Sequence, residues 1–269
     1  ALLQAVTLAP WEVHSKNIYN RPYNGIWGME DLEALSKLIN GEGIINQEGK
    51  PEWNNLTMDD LVSDNNVIGL YTNIDFEADD EFAAIGTVSN PFENYTFDGN
   101  GYSISGINMK NTDDKNQGIF GVVGSNTVIK NLTIKNSLVE GNDNTGILVG
   151  KTAGTNIIID HCFTSGGEVL GTENVGGLIG NCGTGTLIRN CGIATASISG
   201  NNNVGALAAL NNGIICNSYS HTGSLFCYCL LGFFVRSHLH TLRNCYTSAH
   251  FSYCTVHSCA PFVPHATAP

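Results

Sequence analysis

The sequence predicts an all-β chain, a right-handed parallel β-helix of stacked coils with about three strands per coil of roughly 29 residues. Three observations carry this expectation. Turn-like hexads recur as GNDNTG (141–146), GTENVG (171–176) and GNNNVG (200–205), with starts 30 and 29 residues apart. Each is followed by a short apolar run, ILVG (147–150), GLIG (177–180) and ALAA (206–209), and an earlier copy, GIFG (118–121), lies 29 residues before ILVG. A second landmark reads VIKNL (128–132), IIDHC (158–162), LIRNC (187–191), IICNS (214–218) and TLRNC (241–245). A repeat of this length cannot bury its apolar face alone, and stacking neighbours gives it a continuous core. A helical repeat is excluded because Val, Ile, Thr, Gly and Asn dominate and no 3.6-residue periodicity is visible.

Composition fits that architecture. Charged residues are only 13% of the 269, and glycine accounts for 31. Gly and Asn tolerate the positive φ that tight turns require. The formal net charge of -12 excludes a nucleic-acid partner, whose phosphates call for a basic stripe. It also argues against docking on anionic lipid. No segment reaches the ~20 apolar residues of a membrane-spanning helix. The chain begins at Ala1, so removal of a signal peptide is one reading of its start.

The second landmark contains a parity break. In VIKNL, Ile129 faces the core and Lys130 faces water, so strict alternation would turn Leu132 outward. Leu132 and its counterparts Cys162, Cys191 and Cys245 are apolar, which calls for a left-handed bend at the preceding residue. Asn accepts that conformation better than most residues. The column Asn131, His161, Asn190, Asn217 and Asn244 is therefore expected to form a structural ladder. Its amides would hydrogen-bond from coil to coil at a spacing of about 4.8 Å, interrupted at His161. Cys162, Cys191 and Cys245 are expected to be buried thiols rather than disulfides, because in-register Cβ atoms stand farther apart than a disulfide prefers.

Toward the N-terminus, EDLEALSKLIN (30–40) places Leu32, Leu35, Leu38 and Ile39 at helical spacing with Gly41 just after, an amphipathic helix suited to capping the first coil. Residues 66–76 read as a strand. Residues 82–109 read as strand, Asn-Pro turn, strand, Asp-Gly-Asn-Gly turn and strand. The organisation expected is an N-terminal cap with first strands over 1–90, regular coils over 91–222, and a divergent last coil and tail over 223–269.

From Trp27 through LEALSKLIN, LYTNIDF and FDGNGYSISGI to the Gly-apolar-apolar-Gly runs, with VGGLIGNCGTGTLIRNC (175–191) closest, the chain resembles bacterial surface proteins with GLUG-type repeats. The likeness spans roughly residues 25–250. It implies a right-handed parallel β-helix, a secreted or cell-surface location, and a role in adhesion or ligand binding. Such repeats also occur in the non-catalytic parts of IgA-cleaving metallopeptidases, which gives an accessory domain as an alternative.

Catalytic signatures are sparse. There is no H-E-x-x-H, nucleophile elbow or phosphate loop. A polysaccharide-degrading β-helix would need paired carboxylates. Within residues 118–220 the acids are Glu140, Asp143, Asp160, Glu168 and Glu173. The expectation is a non-enzyme without a cofactor. The run Asp75, Glu77, Asp79, Asp80 and Glu81 offers oxygen ligands for Ca²⁺ but matches no EF-hand, so a solvated acidic loop is the simpler reading. His238, His240, Cys254, His257 and Cys259 could in principle hold zinc, at a spacing that fits no standard site. Tyr19, Tyr23, Trp27, Trp53 and Tyr95 lie outside the repeat columns and are candidate contacts for a host or matrix protein or glycan.

Overall fold

The computed structural model describes residues 22–42, 56–77, 80–194 and 197–222, together with Cys245 and short strand backbones between 224 and 260. Every strand pairing is parallel, and strands one period apart lie directly over one another. The chain is a parallel β-solenoid. Among the described residues the strands form five faces, with seven strands on each of two faces, six on a third and five on the remaining two.

One coil illustrates the plan. Ile157–Asp160 lies on face I, Phe163–Ser165 on face II, Glu168–Leu170 on face III, Glu173–Gly176 on face IV and Ile179–Cys182 on face V. There are thus five strands to a coil where the sequence suggested three. Two effects account for the difference. The second landmark is cut in two by its left-handed residue, so IIDHC ends one strand and begins the next. The hexads, expected as turns, are themselves strands, since Asp143–Gly146 pairs with Glu173–Gly176 and that with Asn202–Gly205. Residues 66–76 are likewise divided, into Val67–Gly69 and Ile74–Asp75. Residues 82–95 contribute only isolated bridges, Ile85 to Phe120 and Phe92 to Val123.

The core is a set of in-register columns. Ile68, Phe97, Ile129, Ile159, Ile188 and Ile215 form the inward column of face I, all fully buried. Each such side chain contributes about 1.5–3 kcal/mol relative to exposure. Face II repeats the pattern with Ile104, Ile134, Thr164, Ile193 and Ser220. Thr164 is buried between isoleucines, and its hydroxyl has no hydrogen-bond partner. A buried, unpaired hydroxyl costs more than a methyl of the same shape. Thr164→Val should therefore raise stability by about 1 kcal/mol, read as a higher midpoint in thermal or denaturant unfolding; a lower midpoint would contradict this account.

The helix α1, Met29–Asn40, closes the N-terminal end. Leu32 and Leu35 are buried, Leu38 and Ile39 pack at the margin of the core, and Gly41 terminates the helix in the left-handed region at φ 77°. The helix is tied to the stretch beneath it by side chains. Ser36 Oγ donates to Ala83 O at 2.8 Å, Asn40 Nδ2 donates to Ala84 O at 3.0 Å, and Asn40 Oδ1 accepts from Gly86 N at 2.8 Å. These bonds occupy backbone groups that an open strand edge would leave unpaired.

Faces IV and V meet closely, which explains the Gly-apolar-apolar-Gly runs. A Cβ on Gly176 would lie 2.0 Å from the carbonyl oxygen of Ile179, and one on Gly180 would lie 2.5 Å from the backbone of Asn144 in the coil before. These glycines do not need unusual φ. They are there because no side chain fits.

Candidate functional site

Left-handed residues mark the corners. Asn131, His161, Asn190 and Asn217 occupy one row at the corner between faces I and II, with φ between 48° and 55°. The amides of Asn131 and Asn190 donate to carboxylates, not to the next member of the row. Asn131 Nδ2 donates to Asp98 Oδ1 at 3.0 Å, and Asn190 Nδ2 donates to Asp160 Oδ1 at 2.9 Å. A carboxylate on the outer side of the preceding coil is a stronger acceptor than a neighbouring amide and captures the donor. Asn244 lies outside the described residues.

Amide ladders exist in two other rows of left-handed residues, which sequence reasoning missed. In the first, Asn144 Nδ2 donates to Asn116 Oδ1 at 3.0 Å, Asn174 to Asn144 at 3.1 Å and Asn203 to Asn174 at 3.0 Å. In the second, Asn126 donates to Asn94 at 3.2 Å and Asn156 to Asn126 at 3.1 Å. All seven have positive φ. The fourth residue of each hexad, Asn144, Asn174 and Asn203, was a visible signal, hidden because the hexads read as turns.

Behind the first corner, Leu132, Cys162 and Cys191 point inward and are buried, and Cys245 is half-buried. The thiols are free. Cys162 Sγ lies 3.6 Å from Ile129 O, and Cys191 Sγ lies 3.1 Å from Arg189 O. Burial first, and then the adjacent Cys191, push the Cys162 thiol well above its ordinary range. Cys182, on face V, is also buried and free, and burial pushes its thiol up to about 12. Buried, protonated thiols of this kind are poor nucleophiles.

The outer side of face I carries the most ordered chemistry. Its residues run in register as Asp98, Lys130, Asp160, Arg189 and Cys216, so charge alternates from coil to coil. Lys130 Nζ lies 3.0 Å from Asp98, and Arg189 lies 2.7 Å from Asp160. The left-handed bend also swings His161 round, so that its Nδ1 lies 2.7 Å from Asp160 although the two residues are adjacent in sequence. For Asp98, partial burial opposes ionisation, but the Asn131 amide, the Asn100 N–H and Lys130 together outweigh it and hold the carboxyl below the usual carboxylate range. Asp160 is lowered in the same way, with burial outweighed by Asn190, Arg189 and His161.

Carboxyls lowered by folding stabilise the protein fully above the unfolded value near pH 4, and that contribution is lost as pH falls through the lowered values. Acidification below about pH 4 should therefore reduce stability through this column. In Asp98→Asn/Asp160→Asn the acid loss of melting temperature should be shallower than in the parent; an unchanged slope would show that other carboxylates dominate.

At the N-terminal end of face I the charge column gives way to aromatic rings. Gly69 occupies the register position of Asp98 one coil earlier, and the Tyr71 ring lies over it, so that a Cβ on Gly69 would meet the hydroxyl at 2.8 Å. Tyr71 stacks with Trp27, at 4.8 Å between centroids and 22° between planes, and with Tyr23, at 5.6 Å and 29°. Trp27 Nε1 donates to Tyr23 O at 3.1 Å. Tyr23 is 63% exposed, and Tyr102 is also exposed. Burial first, then Tyr23 and Asp98, raise the Tyr71 phenol, so its hydroxyl stays neutral at physiological pH. Tyr95, by contrast, stacks on the core ring Phe92 at 5.8 Å. Tyr19 and Trp53 lie outside the described residues.

The remaining candidates are dispersed. Asp75 accepts a hydrogen bond from Ser105, Asp80 accepts one from Glu77 N at 2.7 Å, and Glu77 is exposed. Asp79 lies outside the described residues, as do His240, His257 and the side chains of His238, Cys254 and Cys259. Among the described residues no group of three or more His, Cys, Asp or Glu side chains is placed to hold a metal ion. Asp143 pairs with Lys115 at 2.6 Å, and Glu173 Oε1 accepts from Asn202 at 3.5 Å.

No family model matches the chain. A 119-residue stretch, 41% of the chain, is 35% identical to halomucin of Haloquadratum walsbyi, and it spans about 1% of that protein's length. Among solved structures, a putative immunoglobulin A1 protease from Bacteroides ovatus aligns with 68% of this chain and 77% of its own at 17% identity and a TM-score of 0.40. Among the described residues no helix is long and apolar enough to cross a membrane.

Proposed function

We propose that this chain is an extracellular, non-catalytic β-helix module that binds a glycan or protein of a host or matrix. The observation that carries this reading is the Tyr23–Tyr71–Trp27 stack beside the ordered column of face I. Aromatic rings combine a large apolar face with a polar tip, and a solenoid holds such groups on a rigid, evenly spaced surface. The likeness to GLUG-repeat surface proteins and the halomucin match favour an extracellular setting. The acids of face I are engaged in ion pairs and amide bonds, which suits positioning rather than proton transfer.

The test is binding of the purified chain to glycan arrays and immobilised matrix proteins, repeated with Tyr23→Ala and Tyr71→Ala. Binding reduced at least about tenfold by either change supports the reading, at ~1.4 kcal/mol per tenfold. Binding that ignores both variants, or no binding on any surface, would sink it. Turnover on a polysaccharide panel would replace it with an enzyme.

A further inference from the structure

Face I has a second property that ligand binding does not use. Beside the charge column runs an outward column of Thr96, Val128, Ile158, Leu187 and Ile214, in register from coil to coil. Ile214 is 45% exposed, and Val128, Ile158 and Leu187 are each partly exposed. Four consecutive coils thus turn an aliphatic side chain outward on the solvent side of a sheet, a position usually given to polar residues. Contiguous apolar surface of this kind marks a contact site.

The charges beside it identify the partner. Read along the solenoid axis, the column is Asp98, Lys130, Asp160, Arg189. Read in the opposite direction it is basic, acidic, basic, acidic. A second copy turned by a two-fold axis along the strand direction, centred between the Lys130 and Asp160 coils, reverses the order of coils and keeps each column opposite itself. Asp98 then faces Arg189 of the second copy, and Lys130 faces its Asp160. In the neighbouring column, Val128 faces Ile158 of the second copy, and Thr96 faces its Leu187. All four charges meet opposite charges and the aliphatic stripe meets itself, as an isologous two-fold interface requires. The four charges sum to zero. The net charge of -12 is therefore carried elsewhere, including Glu140 and Glu168 on face III and Asp143 and Glu173 on face IV, so face I is spared the general repulsion between copies.

We infer that face I is a self-association surface on which two copies of this chain pair with antiparallel solenoid axes. The pairing surface adjoins the aromatic stack, whose Tyr71 ring covers Gly69 on the first coil of face I, but rests on none of its three rings. Six coils at about 4.8 Å and strands about 13 Å long give roughly 400 Å² per copy, about half the ~800 Å² per partner of a stable specific interface, so the pair is weak and forms where copies are concentrated.

Sedimentation equilibrium of the chain from about 10 to 500 μM tests this. We expect a reversible monomer–dimer equilibrium that weakens from low to 0.5 M salt. Asp160→Lys and Lys130→Asp each place like charges opposite one another twice in the dimer, and each should weaken association at least about tenfold. An equimolar mixture of the two variants restores opposite charges at both positions and should associate at least as well as the parent. Ile158→Asn, an outward change that leaves the ion pairs intact, should also abolish the dimer, and circular dichroism confirms that each variant is folded. A monomer at every concentration in low salt would overturn the inference. So would self-association that is indifferent to Ile158→Asn, or variants whose mixture associates no better than either alone.

Discussion

Replacing Gly176 by valine should unfold or severely destabilise the solenoid, by about 3–5 kcal/mol. The reason is space rather than backbone conformation. A Cβ at this position would sit 2.0 Å from Ile179 O and 3.0 Å from Ala209 N, both backbone atoms that cannot rotate away. Glycine recurs at the equivalent position of the neighbouring coils, Gly146 and Gly205. A Cβ on Gly205 would meet Ala208 O, also at 2.0 Å. Relief would require faces IV and V to separate and the columns behind them to repack. The position four residues later is a useful contrast. Ala209 takes the place held by Gly150 and Gly180 and is fully buried, so a methyl is accommodated there in one coil. Gly180→Ala should accordingly cost less than Gly176→Ala. Thermal unfolding of the three variants checks the ranking, and equal losses for Gly176→Ala and Gly180→Ala would refute the steric account.

The second large effect is expected at Asn174, the centre of the hexad ladder. This residue sits at φ 55°, donates to Asn144 at 3.1 Å and accepts from Asn203 at 3.0 Å. Asn174→Val combines three costs: a β-branched residue in the left-handed region, two lost amide bonds, and the half-buried Asn203 amide deprived of its acceptor, while Asn144 keeps Asn116 and Asn181. Together these should cost about 3–4 kcal/mol. Asn174→Gly keeps the backbone conformation and removes only the bonds, so about half of that loss should remain. Denaturant midpoints of the two variants separate the contributions. If both variants lose the same stability, the left-handed conformation carries no cost and the amides account for the whole effect.

Sequence periodicity and composition were enough to read the solenoid, its period, the N-terminal helix and the inward Leu132–Cys162–Cys191 row. Each follows from local rules: a 29-residue recurrence, helical spacing before Gly41, and a parity break that only a left-handed residue can repair. The number of faces was not legible. A single left-handed Asn within an apolar run splits one apparent strand into two, and the hexads have the composition of turns although their pairing makes them strands.

The candidate surface divides in the same way. The sequence by itself determined that Asn131, His161 and Asn190 share a row, because equal spacing on stacked coils forces it. Which acceptor each amide takes was decided by the tertiary structure. Asp98 and Asp160 come within reach only through register with the next coil, and a carboxylate outcompetes an amide for the same donor. The alternation of Asp98, Lys130, Asp160 and Arg189 is likewise set by vertical neighbours some 30 residues away, and Tyr71 stacks on Trp27 and Tyr23, more than 40 residues before it. Local patterning fixes which way a side chain points; only the stacking of coils fixes what it meets.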